Sequence, residues 1–176
     1  MRRILLLTIM LLLVAAGTGY AQDHSFVGTK RCSMCHKAEK GGMIFETWQK
    51  TSHATAFATL ASEEAMKVYT DLGKSGNPQE DADCLKCHVT GFGMDASLTS
   101  AISQEDGVTC EACHGAGGDY WKKTVMMDRE QAIANGMVAD PGANCVSCHN
   151  EESPTYKAFN FEEMWPKIEH SAPAGE

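Results

Sequence analysis

The sequence is short of the side chains that usually build a core. After the first twenty residues Leu, Ile, Val and Phe are thin, and aromatics are only 7% of the 176 residues. Packed side chains alone would therefore bury little apolar surface for a chain of this length. Basic charge is scarce as well. Fifteen Lys and Arg stand against 23 Asp and Glu, a formal net charge of −8, which excludes a nucleic-acid binder because such a protein needs a basic face. No second apolar run follows the N-terminal one, so nothing downstream approaches the roughly 20 residues of a membrane span. There is no fixed internal repeat and no linker long enough to divide the chain, which points to one domain. Cysteine is what the chain has in excess: eight, with seven histidines. In so short a chain that means disulfides, metal or cofactor attachment.

Arg2 and Arg3 precede an apolar run from Ile4 to Ala16, and small or polar residues fill Gly17 to Ala21. This is the layout of a secretory signal cleaved after Ala21, with an uncleaved tether as the alternative. No cysteine follows the small-residue site, which argues against a lipid anchor there. Residues 1–21 are thus read as the signal peptide and 22–176 as a single mature domain, periplasmic or secreted. Cleavage removes two arginines and no acids, deepening the formal charge from −8 to −10.

The cysteines fall into four pairs, each with two residues between and a histidine directly after. They are Cys32-Ser-Met-Cys35-His36, Cys84-Leu-Lys-Cys87-His88, Cys110-Glu-Ala-Cys113-His114 and Cys145-Val-Ser-Cys148-His149. This is the attachment motif of c-type haem. The two thiols add across the two vinyl groups of one haem, and the following imidazole reaches the iron as proximal ligand. Disulfides or zinc would explain paired cysteines but not the histidine after every pair. With 7 histidines in 176 residues, four at four prescribed positions arise by chance about a few times in a million. Cys32, Cys35, Cys84, Cys87, Cys110, Cys113, Cys145 and Cys148 are therefore expected to carry four haems, with His36, His88, His114 and His149 proximal. The porphyrins would supply the apolar bulk that the side chains lack, and the chain without them is expected to be largely unfolded.

Four irons have four distal positions, and only His24, His53 and His170 remain to fill them. His53 is expected on a helix running from Trp48 to Phe57. His170 closes the segment from Phe161, where Asn160 and Glu163 form a cap and Pro166 interrupts the helix. His24 is the third residue of the mature chain. Methionine could fill the gap, as in Met/His sites, but Met94, Met126, Met127 and Met137 have no decisive context. At least one iron is therefore short of a histidine.

The residues around the motifs carry a resemblance to a known family. Phe26 to Ala38, Trp48 to Ala54, Asp83 to Gly93, Gly107 to Gly117 and the Phe161 to Met164 helix resemble the tetrahaem cytochrome c-554 family over nearly the whole mature chain. The resemblance implies a mostly helical chain around closely packed haems. It implies that His53 serves the haem on His114 and His170 the haem on His149. It also implies that the haem on His88 lacks a protein distal ligand and is the candidate for binding a small molecule such as nitric oxide. One departure stands out. The family carries a distal histidine for the first haem shortly after the third motif, whereas Gly118 to Lys123 here contains none. His24 is the spare. It could fold back onto the first haem, or ligate a haem of a neighbouring molecule, as in filament-forming multihaem cytochromes.

The fold expected is mainly α with few short strands, a small irregular helical multihaem cytochrome. Helices are expected at Ser62 to Leu72, capped by Ser62, and Asp128 to Asn135, stopped by Gly136. A hairpin or turn is expected within Ser97 to Gly107. The leading function is electron transfer between redox protein partners, with a basic docking patch on the partner facing this acidic surface. A small-molecule reductase at the haem on His88, with Asp95 or Ser97 as nearby donors, and a subunit of an extracellular conducting filament joined through His24 are the alternatives.

Overall fold

The computed structural model describes residues 24–171. The expected signal segment, 1–21, lies outside the described residues. Among the described residues ten short helices follow one another: α1 Thr29–His36, α2 Ile44–Gln49, α3 Ala56–Thr59, α4 Glu63–Asp71, α5 Ala82–His88, α6 Ala96–Thr99, α7 Cys110–His114, α8 Lys123–Met126, α9 Arg129–Ala134 and α10 Phe161–Met164. Tight 3-10 turns lie at Pro78–Glu80, Gln104–Asp106, Pro141–Ser147 and Trp165–Lys167, among other places. No strand forms among the described residues, so the few short strands expected from the sequence are absent. No helix among them is long and apolar enough to cross a membrane.

Side-chain caps explain much of this punctuation. Ser62 accepts from the Ala65 N–H and opens α4, and Asp128 accepts from Gln131 and opens α9, both as their sequences imply. The stretch from 97 to 107 makes no hairpin. Asp95 accepts from the Ser97 N–H, and Ser103 and Asp106 form a reciprocal capping box, so the segment turns helically twice.

The Trp48 to Phe57 segment is not one helix. α2 ends at Gln49, α3 starts at Ala56, and His53 lies in the turn between them. Thr51 donates its hydroxyl to the Trp48 carbonyl at 2.7 Å, the local competition by which Thr and Ser unsettle helices. The His53 carbonyl is committed elsewhere, accepting from the Val108 N–H at 3.0 Å. Gly107 makes that approach possible: its φ is +67°, and a Cβ there would lie 2.9 Å from the His53 oxygen. Likewise α10 is a single turn, after which Pro166 shifts the chain into a 3-10 turn and leaves His170 beyond it.

The apolar core is as thin as the composition implies. Leu60, Leu85 and Val89 are buried together, with Phe57, Cys84 and Phe92 packed against them. Met34 and Met127 are each 70% exposed. A polar knot fastens α4 to α5. Asp81 caps α5 and also accepts from the Tyr69 hydroxyl at 2.8 Å and the Lys74 ammonium at 2.9 Å. Those bonds, that of Lys74 first, pull the Asp81 carboxyl down to about 2.

Candidate haem sites

Three of the four motifs lie at the ends of helices, α1, α5 and α7, and the fourth runs from the Pro141–Ser147 turn into Cys148 and His149. On a helix, positions i, i+3 and i+4 share one face. Cys-x-x-Cys-His therefore projects two sulfurs and an imidazole the same way, which is what one covalent macrocycle with an axial ligand requires.

Among the described residues the cysteines form no disulfide, so both sulfurs of every motif are available for attachment. The motifs are close neighbours. α1 packs on α7, and α7 on the Pro141–Ser147 turn. Asn144, beside the fourth motif, donates to the Cys113 carbonyl at 3.1 Å, and Lys86 of the second motif pairs with Glu152, just past the fourth, at 2.6 Å.

The histidines fit an axial role. The His88 Nδ1 donates to the Ala56 carbonyl at 2.7 Å, and the His170 Nδ1 faces the Ile168 carbonyl at 3.0 Å. A carbonyl can only accept, so each contact fixes the tautomer and leaves Nε2 with its lone pair, the usual arrangement of a metal-ligating imidazole. Burial pushes His53 below its usual range, with His149 adding to the effect, and does the same to His114, with His170 and His36 adding. Neutral imidazole is the form that binds iron. The His36 Nδ1 is buried without a partner, which marks a site that the protein alone leaves unfinished.

Two pairs of imidazoles face each other. His114 and His170 have ring centres 5.9 Å apart, and His53 and His149 have theirs 6.1 Å apart. Two imidazoles sharing one metal, with each metal–nitrogen bond about 2 Å, have centres about 6 Å apart. Phe159 stacks on His149 at 5.0 Å and holds that ring. These pairings exchange the ones implied by the family resemblance. His53 sits in the turn fixed by the Val108 bond, and His170 lies beyond the Pro166 turn.

His24 joins neither pair. Its Nδ1 lies 2.7 Å from Asp119, and its ring lies over Gly136, where a Cβ would come within 2.5 Å. It is thus anchored beside the third motif's exit loop. No second imidazole ring stacks on His24, His36 or His88 among the described residues. Met94 is 48% exposed and so is not turned inward. Asp95 and Ser97 bond to each other at 2.6 Å as a helix cap, so neither is a free donor. One residue beside the sites escaped the sequence reading. Glu111, between Cys110 and Cys113, is buried and accepts three backbone N–H bonds. Its position inside an attachment loop was the available signal.

The chain is similar to known proteins. A family model described as cytochrome c554 and c-prime matches residues 31–115. A curated relative, cytochrome c-554 of Nitrosomonas europaea, is 31% identical over 160 residues, covering 82% of this chain and 66% of the relative. The chain thus spans just under two thirds of that relative's length. A solved structure of the reduced state of cytochrome c554 from Nitrosomonas europaea superposes with a TM-score of 0.57 at 27% identity, covering 82% of this chain and 78% of that one.

Proposed function

The chain belongs to the cytochrome c-554 family, and we propose that it is an exported carrier that passes electrons between redox partners. Its cofactors are four covalently attached c-type haems, which supply one-electron chemistry at their irons. Cys32 with Cys35, Cys84 with Cys87, Cys110 with Cys113 and Cys145 with Cys148 hold them, and His36, His88, His114 and His149 are the proximal ligands. His170 completes the site on His114 and His53 the site on His149.

The observation that carries this reading is the continuity of contact between the attachment segments. α1 packs on α7, Asn144 beside the fourth motif bonds to the Cys113 carbonyl at 3.1 Å, and Lys86 of the second motif pairs with Glu152 just past the fourth at 2.6 Å. The route supported is first, third, fourth, second, rather than the order along the chain. Neighbouring sites on such a route need no large motion to exchange an electron, while the protein tunes each through ligand, hydrogen bond and burial. The acidic balance, net −8 over the whole sequence, favours a partner with a basic patch.

The test is stopped-flow oxidation of the fully reduced holoprotein by a basic one-electron protein acceptor. All four haems are expected to reoxidise, at a rate that falls as ionic strength rises. Release of a single electron, with three haems left reduced, would sink the reading.

A second reading follows from the ligand count. His88 has no facing imidazole among the described residues, so its iron would keep an axial position open to a small molecule such as nitric oxide. Electron paramagnetic resonance of the oxidised protein, with and without nitric oxide, tests it. Four low-spin signals indifferent to the gas would rule it out.

A further inference from the structure

A carboxylate is sealed inside the third attachment loop. Glu111 is 4% exposed. Its Oε1 accepts from the N–H groups of Val27 at 2.9 Å and Gly117 at 2.7 Å, and its Oε2 accepts from Gly28 at 2.8 Å. An ionised carboxyl only accepts hydrogen bonds, so a cage of three donors is built for the charged form. The cage contributes dipoles but no cation: no Lys or Arg is among these partners. A full negative charge therefore stays in the interior, where the low dielectric weakens its screening. Such burial is costly, and an apolar residue would serve packing at less cost.

The cage is tied to the third site. Gly117, which donates to the carboxylate, accepts from the Tyr120 N–H at 3.1 Å, and Tyr120 donates its hydroxyl to the carbonyls of His114 at 3.1 Å and Gly115 at 2.7 Å. Glu111 is thus seated between the first and third attachment segments, against the backbone that carries His114.

We propose that Glu111 is a positioning charge that lowers the reduction potential of the haem held by Cys110, Cys113 and His114. This rests on the electron-carrier reading above. Reduction takes one electron from a protein donor and converts ferric to ferrous iron. A fixed negative charge in the attachment loop would disfavour the added electron, so the site would give it up more readily to the next one. Net charge and burial are recognised levers on cofactor potential. The fourth site is the internal comparison: it has the same pair of histidine ligands, but Val146 and Ser147 stand between its cysteines, and Val146 is 61% exposed.

The experiment is a potentiometric titration of the four-haem protein and its Glu111→Gln variant, with couples assigned by the shifted haem methyl resonances. In the variant, the haem on His114 is expected to show at least a tenfold higher ratio of reduced to oxidised form at a fixed potential. That is about 59 mV for one electron. The haem on His149 is expected not to move. Glu111→Asp, which keeps the charge, is expected to hold the couple near its unmodified value; equal shifts in both variants would mean a structural role only and would overturn the assignment. So would four unmoved couples in a variant that retains its haems. If Glu111→Gln fails to take up four haems, the unmodified protein decides. The couple on His114 is expected below that on His149, and the reverse order would overturn the assignment. Failure of the carrier reading looks different: couples shift as expected, yet the reduced protein does not hand electrons to a partner.

Discussion

His170 stands over His114 with ring centres 5.9 Å apart, and the last turn of the described chain is what brings it there. A residue late in the chain thereby faces the imidazole of a motif that lies in the middle of the sequence. His53 and His149 make the complementary closure, from the first third of the chain to the fourth motif.

Single substitutions separate these pairings. His170→Ala is expected to convert one low-spin haem to high spin and to move the same couple that Glu111→Gln moves. His53→Ala is expected to convert a different haem, the one on His149, and to leave that couple in place. Electron paramagnetic resonance combined with a potentiometric titration reads both. Exchanged outcomes would restore the pairing implied by family resemblance alone.

Gly107 secures the turn that carries His53. Its φ is +67°, and an added Cβ would lie 2.9 Å from the His53 carbonyl oxygen. Gly107→Ala is expected to cost about 1–3 kcal/mol in strain, seen as a lowered thermal midpoint. It is also expected to reduce the low-spin fraction at the haem on His149. A variant with unchanged midpoint and spectrum would show that the turn does not depend on this glycine.

Asp81 sets part of the acid limit of stability. Its carboxyl is lowered from 3.8 to about 2 by the Lys74 bond and then by the Tyr69 bond. The folded state thus binds the proton less readily than the unfolded chain. The stabilisation is complete above the ordinary carboxyl value and is lost as pH falls from about 4 toward 2. Chemical denaturation followed against pH is expected to show this slope, and Asp81→Asn is expected to flatten it. An unchanged slope in the variant would assign the acid limit to other groups.

Haem uptake and folding are expected to be one event in a chain with so small a core. Produced without haem attachment, the polypeptide is expected to show mostly unordered far-ultraviolet dichroism and rapid proteolysis throughout. The four-haem form is expected to be helical and resistant. A protease-resistant, helical apo-chain would mean that Leu60, Leu85, Val89 and their neighbours hold the fold unaided.

The covalent sites were legible in the sequence because their chemistry is local: two sulfurs and an imidazole must occur within five consecutive residues. The caps at Ser62 and Asp128 were legible for the same reason. The position of His53 was not. Its helix was broken by Thr51 bonding back to Trp48 and by the His53 carbonyl bonding to Val108, and the second of these is a tertiary contact. The distal pairings were illegible because they depend on where long loops return. Glu111 was missed because two of its three donors come from a remote segment, at 27–28, and its place in the attachment loop was the one local signal.

The Glu111 cage also imposes a schedule. A polypeptide is made from its N-terminus, so Val27 and Gly28 emerge long before the carboxylate that will receive their N–H groups. Until residue 111 has followed, the N–H groups of Val27 and Gly28 have no carboxylate to receive them. The contact that ties the stretch before the first attachment motif to the third loop can thus close only after the third motif exists.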